Sequence, residues 1–151
     1  MTGVQTCALP IWLWLKLLGC TLIVEKRLRA RLDEDFATTL PRFDVLAALE
    51  RHPSGLRMSA LSEFLMVSNG NVTGVVSRLI EDGFVTRTVD REDRRSATVR
   101  LTRKGRESFL KMAAANERWM DGMFADLSHA QIEELMRLLS QVRRSIDAHP
   151  V

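Results

Sequence analysis

The chain has 151 residues, 46% of them hydrophobic, and a formal net charge of +3, which favours one domain with an apolar core. So small a net charge does not by itself identify a partner. The two cysteines, Cys7 and Cys20, lie too close together near the N-terminus to staple a fold, and a reducing, cytoplasmic setting is the simplest interpretation.

The segment ALPIWLWLKLLGCTLIV is almost entirely apolar, yet it predicts neither a secretory signal nor a membrane span. No positive charge precedes it, Lys16 lies in its middle, and Pro10 and Gly19 interrupt it. It is also short for a span. We therefore expect no membrane partner.

Residues 1–11, MTGVQTCALPI, resemble the translation of a common sequencing-adapter oligonucleotide. We expect this segment to be a foreign artefact, with the natural gene beginning upstream of Trp12. Cys7 would then have no biological role.

Residues 12–33 predict a first helix, whose wide apolar side we expect to be buried against more than one neighbour. Its apolar residues at helical spacing are Leu15, Leu18, Leu22, Leu28 and Leu32. Pro41 suits the first turn of a second helix, where its missing N–H is not needed. That helix should run through RFDVLAALERH, and its inward residues should be Phe43, Leu46, Ala47 and Leu49.

A third and a fourth helix follow around the turn VSNG. Ser59 is the expected N-cap of ALSEFLM, whereas the preceding LRM is too short to assign. In NVTGVVSRLIEDG one apolar face is formed by Val72, Val75, Val76, Leu79 and Ile80, and Gly83 is the expected terminator. The other face carries small and polar residues: Gly70, Asn71, Thr73, Gly74, Ser77 and Arg78.

FVTRTV and ATVRLT alternate with the period of strands, and the six consecutive charged residues DREDRR lie between them. This pattern predicts a β-hairpin with a charged tip. Residues 84–106 contain eight basic and three acidic residues, a local excess larger than that of the whole chain. Such basic density is typical of a surface that meets phosphates.

Two amphipathic helices complete the chain. The first, RKGRESFLKMAAANERWMDGMFADL, has as buried candidates Phe109, Met112, Trp119, Met120 and Met123. Ser128 should start the last helix, whose apolar residues are Ile132, Leu135, Leu138, Leu139 and Val142.

Two short helices joined by a turn and followed by a hairpin indicate a winged helix-turn-helix, so the predicted fold is mainly α with a small antiparallel β-hairpin wing and a helical dimerisation region. Small polar side chains on the second helix would let its backbone approach base edges in the major groove of double-stranded DNA. The candidate DNA-binding residues are Ser68, Asn69, Gly70, Asn71, Thr73, Gly74, Ser77, Arg78, Arg91, Asp93, Arg94 and Arg95. We expect Arg95 to reach a narrow minor groove with Asp93 orienting it, and Arg91 and Arg94 to contact phosphates.

Residues 43–109 closely resemble the DNA-binding core of the MarR (multiple antibiotic resistance regulator) family. The most specific motifs are DREDRR, where the family usually shows Asp-Pro-x-Asp-x-Arg, and LTRKG; Arg91 stands where proline is common. The resemblance implies a homodimeric, ligand-responsive transcriptional regulator, expected to be a repressor, that binds a pseudo-palindromic operator. It also implies a dimerisation region formed by residues 12–40 and 103–148, and a DNA-binding lobe formed by residues 41–102.

Many members of that family lose DNA affinity when a small aromatic or lipophilic ligand fills a pocket between the lobe and the dimerisation region. The candidate ligand-binding residues here are Trp14, Cys20, Phe36, Arg42, Phe43, Met112, Trp119 and Met120. We expect Arg42 to meet a carboxylate at the rim of such a pocket. The same aromatic and methionine residues would equally suit a plain core.

Other classes of protein have less support. The three histidines, His52, His129 and His149, are widely spaced, and no cluster has metal-ligand spacing, so we expect no enzyme, no metal and no cofactor. A helical protein-interaction module without DNA binding remains an alternative, although it would not need a basic wing. A thiol-based redox sensor through Cys20 is another, but the family's sensors use tyrosines near the thiol, and this chain has none.

Overall fold

A computed structural model of the chain describes residues 8–65, 69–89, 91 and 96–150. Its elements are α1 (Leu9–Phe36), α2 (Leu40–Glu50), β1 (Leu56–Arg57), α3 (Met58–Leu65), α4 (Asn69–Glu81), β2 (Val85–Val89), β3 (Ala97–Leu101), α5 (Arg103–Met123) and α6 (His129–Ala148). The mainly helical fold with a small antiparallel sheet confirms the predicted fold class. The chain forms two compact units, Met1–Asn116 and Glu117–Val151.

Helix α1 is longer than predicted, because it begins with Pro10 in its first turn and continues unbroken through Gly19. One glycine inside a helix costs only about 1 kcal/mol relative to alanine, too little to end a helix of this length. The expected burial of its apolar side is wrong for the single chain: Leu32 is buried, whereas Leu15 and Leu22 are 47% and 54% exposed. No helix in the described residues is long and apolar enough to cross a membrane.

The core of the first unit lies where α2, α3 and α4 pack on one another, with α2 and α3 also on β3 and α4 on β2. Its most buried large side chains include Leu46, Leu49, Leu61, Leu79 and Val99. Pro41 lies in the first turn of α2, as predicted.

Two expectations about helix faces in this unit need correction. Val45 and Ala48 of α2 are buried, whereas Phe43 and Ala47 are only half-buried, because α2 packs against both α4 and β3 and so buries a different face. In α4, Ile80 is 37% exposed, so its apolar face is narrower than predicted.

Ser59 is not an N-cap, because α3 begins one residue earlier, directly after strand β1. This strand has two residues, and it pairs antiparallel with β3 through Leu56–Val99 and Arg57–Thr98. Gly55 precedes it with a φ of +92°, and a Cβ there would come within 2.7 Å of the Val99 carbonyl oxygen. The close approach of the chain at β1 therefore depends on a glycine.

The predicted hairpin is confirmed: β2 pairs antiparallel with β3 from Val85–Leu101 to Val89–Ala97. The strand order is β1-β3-β2, so β3 lies in the middle of the sheet. Gly83 ends the α4 region with a φ of +76°, which confirms its predicted role as a terminator.

In the second unit, α6 starts with a capping box that confirms the predicted N-cap. The Ser128 hydroxyl accepts a hydrogen bond from the Gln131 amide at 3.2 Å, and the Ser128 amide donates to Gln131 Oε1 at 2.8 Å. Ile132 and Val142 are half-buried, whereas Leu135, Leu138 and Leu139 are 46%, 43% and 40% exposed.

Candidate nucleic-acid interface and adjoining cavity

Helix α4 has one buried and one exposed face. Val72, Val76 and Leu79 are at most 2% exposed and fix the helix on the core. The exposed residues are Asn71, Thr73, Gly74, Ser77 and Arg78. The Ser77 hydroxyl donates to the Thr73 carbonyl at 2.9 Å, which leaves its oxygen able to accept a further hydrogen bond.

The surface around Gly74 is open, because a Cβ built there would meet no atom within 4 Å. The α4 backbone is therefore accessible to a large partner at this point. Asn69 and Gly70 form the first residues of α4, whereas Ser68, Asp93, Arg94 and Arg95 lie outside the described residues.

Several of the basic side chains in residues 84–106 bind groups of the protein itself. Arg100 Nε donates to the Ser54 carbonyl at 2.8 Å, and Lys104 Nζ donates to the Asp82 carbonyl at 2.8 Å. Arg103 pairs with Glu107 and Arg106 pairs with Glu50.

Arg87 and Arg91 are exposed and make no ion pair with any described residue. Both side chains are therefore available to a phosphate without first leaving a partner among the described residues.

Residues 82–84, called the hinge below, connect α4 to β2 and are held from two sides. An Arg42 guanidinium nitrogen of α2 pairs with the Asp82 carboxylate. From the start of α5, the Thr102 hydroxyl donates to the Gly83 carbonyl at 2.7 Å, and the Thr102 amide donates to the Phe84 carbonyl at 3.0 Å. The hinge thus connects the exposed helix, the wing, α2 and α5.

A cavity of about 440 Å³ lies beside the hinge within the first unit. It is lined by Phe36, Ala37, Thr38, Arg42, Leu46, Glu81, Asp82, Phe84, Lys104, Ser108 and Met112. The Arg42 Cζ lies 5.9 Å and the Lys104 Nζ 5.1 Å from the centroid of the Phe84 ring. The cavity therefore combines apolar walls with two cations.

The structure brings together three of the eight candidate ligand-binding residues: Phe36, Arg42 and Met112 line this cavity. Phe43 does not line it, and its ring lies 5.5 Å from that of Phe109.

The other four candidates are not on the cavity. Trp14 and Cys20 are exposed on α1 of the single chain. Trp119 and Met120 are half-buried in the second unit.

Sequence reasoning missed Asp82, Phe84 and Lys104 as cavity residues. Asp82 and Lys104 lie 40 and more residues beyond Arg42 in the chain, and no local pattern signals that they meet it. Within the described ranges, no group of three or more His, Cys, Asp or Glu side chains is placed to hold a metal ion.

The paired helices α3 and α4, the exposed polar face of α4 and the hairpin that follows define a winged helix-turn-helix DNA-binding protein. Residues 38–97 match the model of the MarR family. The solved structure of a MarR family transcriptional regulator from Silicibacter pomeroyi is 31% identical, with 97% of this chain and 99% of that chain covered and a TM-score of 0.77. The chain belongs to the MarR family and is a DNA-binding transcriptional regulator.

Two curated relatives differ in the effect on transcription that their names state, one being named an activator and the other a repressor. The transcriptional activatory protein BadR of Rhodopseudomonas palustris is 29% identical over 143 residues, which is 89% of this chain and 81% of the relative. The HTH-type transcriptional repressor IacR of Pseudomonas putida is 28% identical over 122 residues, 81% of this chain and 70% of the relative.

Proposed function

We propose that the chain is a homodimeric, ligand-responsive repressor that binds a pseudo-palindromic operator through α4 and the wing. The observation that carries the proposal is the exposed polar face of α4, fixed from behind by buried valine and leucine side chains. A protein-interaction helix of this length would present an apolar exposed face instead.

In this proposal α4 enters the major groove. Asn71, Thr73 and Ser77 contact base edges or phosphates, since amide and hydroxyl groups can donate to and accept from both. Gly74 lets the backbone approach, because nothing projects from it. Arg78, in the last turn of α4, supplies a positive charge to the phosphate backbone.

The wing has two tasks in this proposal. Arg87 and Arg91 contact phosphates, which is consistent with their exposure. Arg95 inserts in the minor groove and Asp93 orients it, an assignment that rests on the sequence pattern alone.

Dimerisation is supported by the apolar surface that α1 exposes. Trp12, Trp14 and Ile23 are 60%, 58% and 54% exposed, and Leu15 and Leu22 add to the same helix. Apolar exposure on this scale is rare in a monomer and typical of a surface that a second chain covers. A two-fold dimer would place two α4 helices on half-sites about 10 bp apart.

The test is selection of bound duplexes from a random library, followed by titration at several salt concentrations. We expect a pseudo-palindrome and an affinity that falls steeply as salt rises, because counterions are released from phosphates. Placed at a promoter, the recovered operator should lower reporter transcription. A monomer in sedimentation with no salt-dependent DNA binding would contradict the proposal and favour the interaction-module alternative.

Three variants sharpen the test. Asn71→Ala should reduce discrimination between operator and random DNA by about 1–3 kcal/mol. Arg91→Ala should weaken binding to both equally and lower the salt slope by about one. Arg118→Ala removes the same charge from the second unit, and we expect it to leave both measurements close to those of the parent.

A further inference from the structure

The Ser77 side chain is exposed on α4, yet the one proton of its hydroxyl is already used within the helix. The hydroxyl donates to the carbonyl of Thr73, four residues earlier, at 2.9 Å. A serine hydroxyl has a single proton and two lone pairs, so this bond leaves it able only to accept. The same bond ties the side chain to the preceding turn and fixes its direction.

The surface beside the Ser77 oxygen leaves room for a close partner. A helical side chain covers the turn that precedes its own Cα, which for Ser77 is the turn of Thr73 and Gly74. Gly74 has no side chain, and a Cβ built on it would meet no atom within 4 Å. Because a serine oxygen is attached directly to Cβ, a partner must come close to the helix backbone to reach it. The glycine permits that approach.

An acceptor at this position distinguishes between the groups that DNA offers. Phosphate oxygens have no proton to donate, so a pure acceptor cannot bind them directly. In the major groove, guanine presents the acceptors N7 and O6 and thymine presents the acceptor O4, whereas adenine and cytosine carry the donating amino groups N6 and N4. These two amino groups are therefore the direct partners that the Ser77 oxygen can have on DNA.

We propose that Ser77 is a specificity-determining residue that accepts a hydrogen bond from the amino group of adenine or cytosine. It selects these two bases over guanine and thymine on the strand that it faces. The inference rests on the proposed function, because it names the class of base that α4 reads at one position of the half-site.

The opposite arrangement, in which the Ser77 hydroxyl donates to DNA, is less favourable. The hydroxyl would have to give up its bond to the Thr73 carbonyl, so one hydrogen bond would be exchanged for another. Accepting from an amino group adds a hydrogen bond and breaks none within the protein. A donating hydroxyl would also favour the carbonyl oxygens of guanine and thymine, so the two arrangements predict opposite base preferences.

The test uses the operator recovered from the random library and compares the parent with Ser77→Ala at every position of a half-site. We expect one base pair at which the two proteins differ. On one strand of that pair, the parent should bind adenine and cytosine about threefold to tenfold more tightly than guanine and thymine, as expected for one hydrogen bond. Ser77→Ala should lose this preference.

Two further variants separate base reading from effects on the helix. Ser77→Thr retains a hydroxyl that can bond to the carbonyl four residues earlier, so it should retain the base preference even where its added methyl changes the overall affinity. Ser140→Ala removes the same kind of bond in α6, where the Ser140 hydroxyl donates to the Met136 carbonyl at 2.8 Å. It should leave the base preference unchanged. Circular dichroism should show that the variants fold, because both serines are exposed.

Altered bases test the same contact with the protein unchanged. Purine in place of adenine at the selected position lacks the amino group and should weaken binding of the parent by about threefold to tenfold, but that of Ser77→Ala much less. 7-Deazaadenine lacks the N7 acceptor and keeps the amino group. It should therefore affect the parent and Ser77→Ala alike.

The proposal is wrong if the parent prefers guanine and thymine at that position, or if purine binds to the parent as well as adenine does. It is also wrong if Ser77→Ala weakens all four versions equally, as the loss of a phosphate contact would. An operator that is recovered but is insensitive to Ser77→Ala at every position would count against the role of Ser77 alone. Failure to recover any operator would contradict the proposed function as well.

Discussion

Gly105, in the first turn of α5, packs directly against the hinge, and Gly105→Ala should strongly destabilise the protein. A Cβ at this position would lie 1.9 Å from the Phe84 carbonyl oxygen and 2.8 Å from its carbonyl carbon. Ordinary contact begins at 3.4 Å, so the two backbone segments must separate by about 1.5 Å. Neither neighbour is the end of a flexible side chain that could move aside.

The size of the effect follows from the contacts that this separation breaks. The Thr102 amide donates to the Phe84 carbonyl at 3.0 Å, and the Thr102 hydroxyl donates to the Gly83 carbonyl at 2.7 Å. Each is worth about 1 kcal/mol, and residual overpacking adds about 1–3 kcal/mol. The better helix propensity of alanine offsets about 1 kcal/mol of this cost, so we expect the free energy of unfolding to fall by about 2–4 kcal/mol in total.

Gly122→Ala is the matched control, because it makes the same change in the same helix where no atom lies within 4 Å. Propensity alone should make this variant more stable by about 0.5–1 kcal/mol. Thermal unfolding followed by circular dichroism at one fixed protein concentration measures both, and Gly105→Ala should lower Tm by about 5–15 °C. If both variants shift Tm in the same direction by similar amounts, the argument from the close approach at Phe84 is refuted.

Three further substitutions test other parts of the molecule. Gly74→Ala should raise the free energy of unfolding by about 0.5–1 kcal/mol, because alanine favours the helix and its Cβ would meet no atom within 4 Å. The same substitution should weaken operator binding. Equal or tighter DNA binding would contradict the proposal that the α4 backbone closely approaches DNA at this residue. Burial raises the pKa of the Asp44 carboxyl above its ordinary value of 3.8, against the opposing effect of Arg29. This carboxyl should therefore destabilise the parent as pH rises from below 3.8 through the raised pKa, because the folded state then holds a buried charge. Asp44→Asn removes that effect. In urea unfolding the variant should be as stable as the parent at low pH and more stable than the parent at pH 7. Ser128→Ala removes the capping box of α6 and should cost about 1 kcal/mol in the same unfolding assay; Ser140→Ala, inside the helix, is its control.

Much of the fold could be predicted because most of its helices and strands are indicated by a residue pattern within the element itself. The apolar spacing of α4, the alternation of β2 and β3 and the cap at Ser128 each depend on residues within one element. Strand β1 could not be predicted in this way, since two residues are too few to show a period. Its existence depends on β3, which lies about 40 residues later, and the misplaced cap at Ser59 follows from that omission.

The same distinction between local and long-range contacts decides which parts of the candidate site could be predicted. The exposed face of α4 could be predicted from periodicity, because the buried face of an amphipathic helix determines the other. The cavity could not, because Arg42 meets Asp82 and Lys104 only through the packing of three separate helix ends. The basic excess of residues 84–106 also overstated the charge available to DNA, because Arg100 and Lys104 donate hydrogen bonds to carbonyl oxygens within the protein.

The position of β3 in the middle of the sheet has a consequence for how operators can evolve. One neighbour of β3 is the outer strand of the wing, and the other is β1, which leads without a break into α3. The wing and the helical pair are therefore joined by main-chain pairing, which sets the distance between the DNA contacts that we propose for them. Inserting one base pair inside a half-site displaces one contact by about 3.4 Å relative to the other, and the main-chain pairing of β3 with both of its neighbours opposes a compensating movement. Sequence drift in operators should accordingly retain the length of each half-site while substituting its bases.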